Sequence, residues 1–162
     1  MSTPISRKGF NLLLEELEQL KKNRPVIAKI IQEAREEGDL SENAAYDAAR
    51  ERQGLQEARI NYLESRLPLL NVVDFSRLNS EKITYGAKVT LHDQDTEEEK
   101  SYTLLGPDET GLVKGAISVE SPVARALLGR EVGDEIVVDA PRGKIYYEIT
   151  ALSFPGEAMF EG

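Results

Sequence analysis

Hydrophobic positions in the first 75 residues lie on two heptad tracks that mirror each other about Leu40. Going forward, Phe10, Leu13, Leu17, Leu20, Arg24, Ile27, Ile31 and Ala34 are alternately three and four apart. Beyond the mirror, Tyr46, Ala49, Gln53, Gln56, Ile60, Leu63, Leu67 and Leu70 keep the same rhythm. Paired from the outside inwards (Phe10 with Leu70, Leu17 with Leu63, Ile31 with Ala49, Ala34 with Tyr46), the two residue numbers always add to 80. This pattern predicts an antiparallel two-helix coiled coil. At about 1.5 Å per residue, an arm of roughly 30 residues reaches about 45 Å. A finger of that shape has little interior for an active site; its use is to carry its tip somewhere.

Leu13, Leu17 and Leu20 against Leu67, Leu63 and Ile60 predict a firm zipper at the base, and Ala44, Ala45, Ala48 and Ala49 a slender end. Between them, Arg24 faces Gln56 and Ile27 faces Gln53, a polar layer that weakens the seam but fixes its register. Pro25 predicts a kink and not an end, because the period resumes at once with Ile27. Ser6 is the expected N-cap of the first helix, after an extended Thr3-Pro4 lead-in. Gly38 is the expected residue past its C-terminus. Asp39 is the expected N-cap of the second helix, with Glu42 as its capping-box partner. A capping carboxylate keeps free lone pairs, so both acids can cap and still offer oxygens to a hard cation.

Past residue 75 the period changes from helical to alternating, which divides the chain into a finger (1–75) and a second domain (76–162) joined through linker-like residues 71–79. Residues 87–93 and 100–105 flank an acidic stretch and predict a hairpin; residues 135–139 and 144–152 flank Pro141-Arg142-Gly143 and predict another. Residues 113–119 predict a further strand. Ser121-Pro122 followed by apolar residues and Gly129 predicts a short capped helix. One helix across a bent antiparallel sheet makes the second half a small α+β domain. The tail from Ser153 is expected to be irregular and mobile. Asp93, Asp95, Glu97, Glu98 and Glu99 read as a solvated turn, His92 as an edge-strand surface residue, and one of Tyr146 and Tyr147 as core.

Composition narrows the chemistry. The net charge is −9. It is unevenly spread: the finger holds 11 basic and 13 acidic residues and the remainder 9 and 16, giving −2 and −7. An acidic chain does not hold nucleic acid by bulk charge neutralisation, so any such role is local or runs through a protein partner. With no cysteine and a single histidine, thiol chemistry, thiolate zinc sites and His-based triads are excluded or nearly so. No signal-like or membrane-spanning run is present, and the expectation is a cytoplasmic protein.

Residues 34–46, Ala-Arg-Glu-Glu-Gly-Asp-Leu-Ser-Glu-Asn-Ala-Ala-Tyr, closely resemble the bacterial transcript cleavage factors of the Gre family. So do residues 117–129, Ile-Ser-Val-Glu-Ser-Pro-Val-Ala-Arg-Ala-Leu-Leu-Gly, and the likeness runs through nearly the whole chain in the same domain order. Residues 46–53 place it nearer the less basic of the family's two branches. The resemblance implies an FKBP-like second domain that docks at the rim of the RNA polymerase secondary channel. The finger then enters the channel and stimulates the polymerase's own cleavage of a backtracked RNA 3′ end. Asp39 and Glu42 fall on the family's two tip acids, implied to share a Mg²⁺ ion of the polymerase active centre, with no cofactor bound to the protein alone. Ser121, Pro122, Val123 and Arg125 fall in the region used at the polymerase rim. A monomer that is not itself an enzyme is expected.

For Arg50, Arg52 and Arg59 two readings stand side by side: phosphate contacts to extruded RNA, or pairing with Glu33, Glu36 or Glu51 on the finger surface. Three other functions compete with cleavage stimulation. A channel-blocking inhibitor of the same fold calls for a more acidic tip. An FKBP-like prolyl isomerase or chaperone calls for an aromatic-lined pocket, for which four Phe and no Trp are thin material. A generic coiled-coil adaptor leaves the specific tip unexplained.

Overall fold

The computed structural model describes residues 2–38 and 43–161. In chain order the elements are β1 (Thr3–Ser6), α1 (Arg7–Glu36), α2 (Ala44–Arg66), β2 (Leu70–Val73), β3 (Lys88–Asp93), β4 (Glu99–Leu105), β5 (Ala116–Ser118), α3 (Pro122–Leu127), β6 (Glu135–Ala140) and β7 (Gly143–Ser153). They form two compact units, one of Phe10–Leu70 and the other of Ser2–Gly9 with the chain from Asn71 onward.

In the first unit, α1 and α2 pair antiparallel along the mirrored seam. Leu13, Ile27, Ile31, Ala34, Ala49, Gln56, Ile60 and Leu63 are buried, all of them on the two tracks. Ile27, Ile31 and Ala49 pack together with Tyr46 beside them. The polar layer differs by one residue from the expected one. Asn23, not Arg24, turns inward and donates through Nδ2 to the Gln56 side-chain oxygen at 2.9 Å. Arg24 lies outside and grips both carboxylate oxygens of Glu57, at 2.9 and 2.8 Å. A short carboxamide fits the seam, whereas a guanidinium is better left hydrated and paired at its edge. Helix α1 runs unbroken through Pro25.

Arg59 grips Glu16 in the same two-pronged way at 2.7 and 2.8 Å, and Lys21 lies 3.6 Å from Glu64. These pairs are exposed and individually weak, but three of them fix the same antiparallel register. Hydrogen bonds from Arg59 and Arg24 hold the Glu16 and Glu57 carboxyls below their ordinary range. A lowered native value means stabilisation that is complete above the ordinary carboxylate range and lost as pH falls through the native value. The thermal transition of the finger, followed by far-UV circular dichroism, is therefore expected to be flat near neutral pH. It should drop in acid, and the drop should shrink in high salt. A transition that rises in acid would contradict the assignment.

The second unit is built on a five-stranded sheet in the order β5-β4-β3-β7-β6. Both expected hairpins form, with Val89 opposite Tyr102 and Val137 opposite Tyr146. The sheet is mixed, not purely antiparallel: β5 runs parallel to β4, with Leu104 opposite Ile117. A chain excursion through residues 106–115 brings β5 back in the same direction, which a tight hairpin could not do. Helix α3 begins as expected, with Ser121 Oγ accepting from the Ala124 amide and Pro122 in the first turn. It buries Ala124 and Leu127 against Val89, Leu91, Leu104, Ile136, Val138, Tyr147 and Ile149. Tyr147 is thus the core tyrosine and Tyr146 the exposed one.

Several local expectations are corrected. His92 sits on β3, the central strand, between Glu99 and Glu148, and not on an edge. Asp93 is buried and accepts from the Asp95 and Thr96 amides at 2.9 and 3.1 Å. Those backbone donors hold its carboxyl low. It is a turn-builder and not one more solvated acid. Residues 71–79 are not merely a linker: β2 pairs with β1 in a two-stranded ribbon, and Phe75 is buried behind it. The tail forms a 3-10 turn over Gly156–Glu161, and Phe160 stacks on Phe75 with ring centroids 5.8 Å apart.

The N-terminal residues also part from the expected boundary, because Ser2–Gly9 cluster with the second unit. The reason is Glu109, which is 1% exposed. Its Oε1 accepts from the Ser6 amide at 3.0 Å and the Ser6 hydroxyl at 2.6 Å. Its Oε2 accepts from the Gly106 amide at 3.1 Å and from the Tyr85 hydroxyl. Burial, and then the bond to Glu109, pushes the Tyr85 hydroxyl far above its ordinary range, so it stays a donor. Ser6 Oγ simultaneously accepts from the Gly9 amide at 2.9 Å, the N-cap bond expected of it. Two glycines let the backbones approach this node: a Cβ on Gly9 would lie 2.9 Å from Glu109 Oε1, and one on Gly106 2.2 Å from the Pro4 carbonyl oxygen.

Candidate functional site

The site of interest is the far end of the finger. Helix α1 ends at Glu36, and Gly38 follows with φ +128°, a conformation that favours glycine. The N-cap of α2 is Asn43 and not Asp39: Asn43 Oδ1 accepts from the Tyr46 amide at 3.0 Å. The same side chain donates through Nδ2 to the carbonyl oxygen of Ala34, in the last turn of α1. One carboxamide therefore starts one helix and ties down the end of the other. Just below it, the Arg35 guanidinium lies 5.8 Å from the ring centre of Tyr46, a further link across the hairpin. Asp39 and Glu42 themselves lie outside the described residues.

The three arginines separate. Arg50 is exposed, donates to Gln53 Oε1 at 3.3 Å, and lines a groove with Gln32, Arg35, Glu36 and Gln53. Arg52 lines a different groove, with Ile30, Ala45 and Ala48. Arg59 is held by Glu16. Counted from Asn43 along α2, Arg50 stands about 10 Å and Arg59 about 24 Å from the cap. Of the three acids expected as surface partners (Glu33, Glu36 and Glu51), Glu36 lines the same groove as Arg50. Arg35 is the residue that sequence reading missed here. Heptad spacing gave its place on α1, but only the closed hairpin shows that it faces the same groove as Arg50.

In the second unit, Ser121 is occupied as the cap of α3, Val123 packs on the core, and Pro122 and Arg125 are exposed. Leu128 and Val132, just beyond the helix, are apolar yet 38% and 52% exposed. Their hydropathy alone points to the core, so only the structure reveals them as surface. Among the described residues, no helix is long and apolar enough to cross a membrane.

Residues 3–72 match the family described as transcription elongation factor, N-terminal, and residues 78–154 match transcription elongation factor, GreA/GreB, C-terminal. The chain belongs to the GreA/GreB family. Transcription elongation factor GreA of Nitratidesulfovibrio vulgaris (strain DP4) is 61% identical to it over 155 residues, covering 96% of this chain and 95% of that protein. The GreA of Maridesulfovibrio salexigens is 60% identical over 157 residues, covering 96% and 98%. Among solved structures, GreA factor homolog 1 of Thermus thermophilus aligns with a TM-score of 0.43 at 29% identity, covering 94% of this chain and 99% of that one.

As a GreA/GreB protein, this chain is a transcription elongation factor with long N-terminal helices and a curled mixed sheet bearing one short helix. The prolyl isomerase, adaptor and inhibitor readings are not favoured, since both halves match the elongation-factor family in a single order.

Proposed function

We propose that this factor docks on RNA polymerase through its C-terminal unit and inserts the finger into the secondary channel. There Asp39 and Glu42 assist the polymerase in hydrolysing backtracked RNA. The protein acts as a cytoplasmic monomer and is not itself the hydrolase. The observation that supports the reading is the tie between the two helix ends of the finger, where Asn43 accepts from the Tyr46 amide and donates to the Ala34 carbonyl.

Two carboxylates suit Mg²⁺, a hard ion that keeps several waters and takes one or two such ligands. Such an ion, when shared with the polymerase, lowers the pKa of a bound water and so supplies a nucleophile. Asp39 contributes chiefly as an oxygen ligand, and Glu42 orients the attacking water or accepts its proton. Arg50, with Arg35 beside it, faces phosphates of the extruded RNA. Ser121, Pro122, Val123 and Arg125, extended by Leu128 and Val132, form the docking surface. The test is to add the protein to stalled, backtracked transcription complexes and follow RNA length. Shortened, re-extendable transcripts are expected; unchanged transcripts at saturating factor would overturn the proposal.

A further inference from the structure

Leu104 packs toward α3, so the alternation of a strand turns its neighbour Thr103 to the opposite face of the sheet. Thr103 is 5% exposed, yet among the described residues nothing hydrogen-bonds its hydroxyl. The oxygen is not sealed in by the fold, so its partner has to come from outside the protein. Thr103 lines a cavity of about 470 Å³, the size of a small-molecule site. The strand register gathers further polar groups around it. Lys88 stands directly opposite Thr103 on β3. Lys114 precedes Gly115, whose carbonyl accepts from the Thr103 amide at 3.1 Å. Ser101, two residues back on β4, brings a second hydroxyl to the same face. All four line the cavity, and no acid is among its described lining residues. That is a local exception, because the chain beyond residue 75 carries a net −7. Neither lysine is in an ion pair with a described residue. The rest of the wall is mainly apolar, led by the exposed Leu112 and by Met159 from the tail.

The geometry points to a binding site for a nucleoside phosphate on this face of the C-terminal unit. Two point-like ammonium charges and two hydroxyls suit the several oxygens of a phosphate. A flat carboxylate is better matched by an arginine fork, and no arginine is among the described lining residues. Leu112 and Met159 receive the base, since aliphatic surface and a thioether both pack well on a flat ring. The site lies wholly within one unit and needs neither RNA nor polymerase, so it stands apart from the function proposed for the tip.

The test is a titration of the full-length, isotope-labelled protein, followed on its amide resonances by two-dimensional NMR. The probes are ATP, UTP, adenosine and inorganic pyrophosphate, all without divalent ions. ATP and UTP are expected to shift the Ser101, Thr103, Lys114 and Met159 amides saturably. Pyrophosphate should bind more weakly and leave Met159 unmoved, and adenosine should move none of them. Lys88→Gln and Lys114→Gln should each weaken ATP binding roughly tenfold, and Thr103→Val about threefold. Both lysines are exposed, so their variants keep the fold, and unshifted Leu104 and Ile149 amides verify it. Lys144→Gln, in the β6–β7 hairpin outside the cavity lining, is the control and should leave ATP binding unchanged. The site is refuted if millimolar ATP gives no saturable shift around Thr103. It is equally refuted if Lys144→Gln weakens ATP as much as Lys114→Gln does, because the attraction would then be diffuse charge. Pyrophosphate binding as tightly as ATP would overturn the role given to the base and leave a bare phosphate site.

Discussion

Glu109→Ala is expected to destabilise the C-terminal unit by about 3 kcal/mol or more. The carboxylate accepts from four donors inside the protein, so its removal leaves four donors dry. The Ser6 and Tyr85 hydroxyls can rotate, but the Ser6 and Gly106 amides point where the backbone sends them. Each such amide without a partner costs about 1–3 kcal/mol. An opposing gain exists, because alanine removes a carboxylate that was taken out of water. Four hydrogen bonds already offset that desolvation, and the strong ones involve a charged acceptor, so the loss wins. Glu109→Gln keeps the shape but turns an amide NH₂ toward donors, and should fall between alanine and wild type. Tyr85→Phe removes one of four donors and should cost only about 1 kcal/mol.

Urea unfolding of the full-length protein, read on resonances of the β3–β4–β7 core, measures all three. A fragment beginning at Asn71 should be destabilised for the same reason, since it lacks both β1 and Ser6. The order Ala, Gln, Phe from worst to mildest is the specific expectation. A Glu109→Ala protein within about 0.5 kcal/mol of wild type, as for an ordinary surface change, would show that the node does not hold the unit together.

That node was not legible in the sequence, and the reason is distance. Ser6 lies 103 residues from Glu109 and Tyr85 lies 24 away, so no local pattern joins them. Glu109 sits among turn residues, where an acid normally reads as solvated. Strands β1 and β2 are four residues each, too short for alternation to stand out, and their sequences look like a lead-in and a linker. The finger was legible because its signal repeats over eight positions per arm and each repeat confirms the register. Where the repeat turned polar it lost resolution: heptad spacing cannot tell Asn23 from Arg24, and side-chain length decided which went inside. The tip shows a similar limit. Asp39, followed three residues later by Glu42, satisfies a capping-box pattern, yet Asn43 has the bonds. A pattern of residue types can identify candidate caps, but which one is used depends on where the helix starts.

Asp39→Asn and Glu42→Gln, alone or together, are expected to reduce stimulated RNA cleavage by at least about 100-fold, since even outer partners of a metal site are worth 10–100-fold. Each change preserves shape and removes one formal charge, replacing a carboxylate oxygen with an amide that binds Mg²⁺ weakly. The finger should remain intact, because the cap of α2 and the tie to α1 are both made by Asn43. Polymerase affinity should be unchanged, as judged by competition between labelled wild type and each variant. The double variant should fall little below the worse single one if both acids serve one ion, because a site missing either ligand is already unmade. Independent multiplication of the two losses would instead assign them separate tasks, with Asp39 holding the metal and Glu42 handling the water. Cleavage within a few fold of wild type by the double variant would remove the acids from the mechanism and leave the finger as a passive plug.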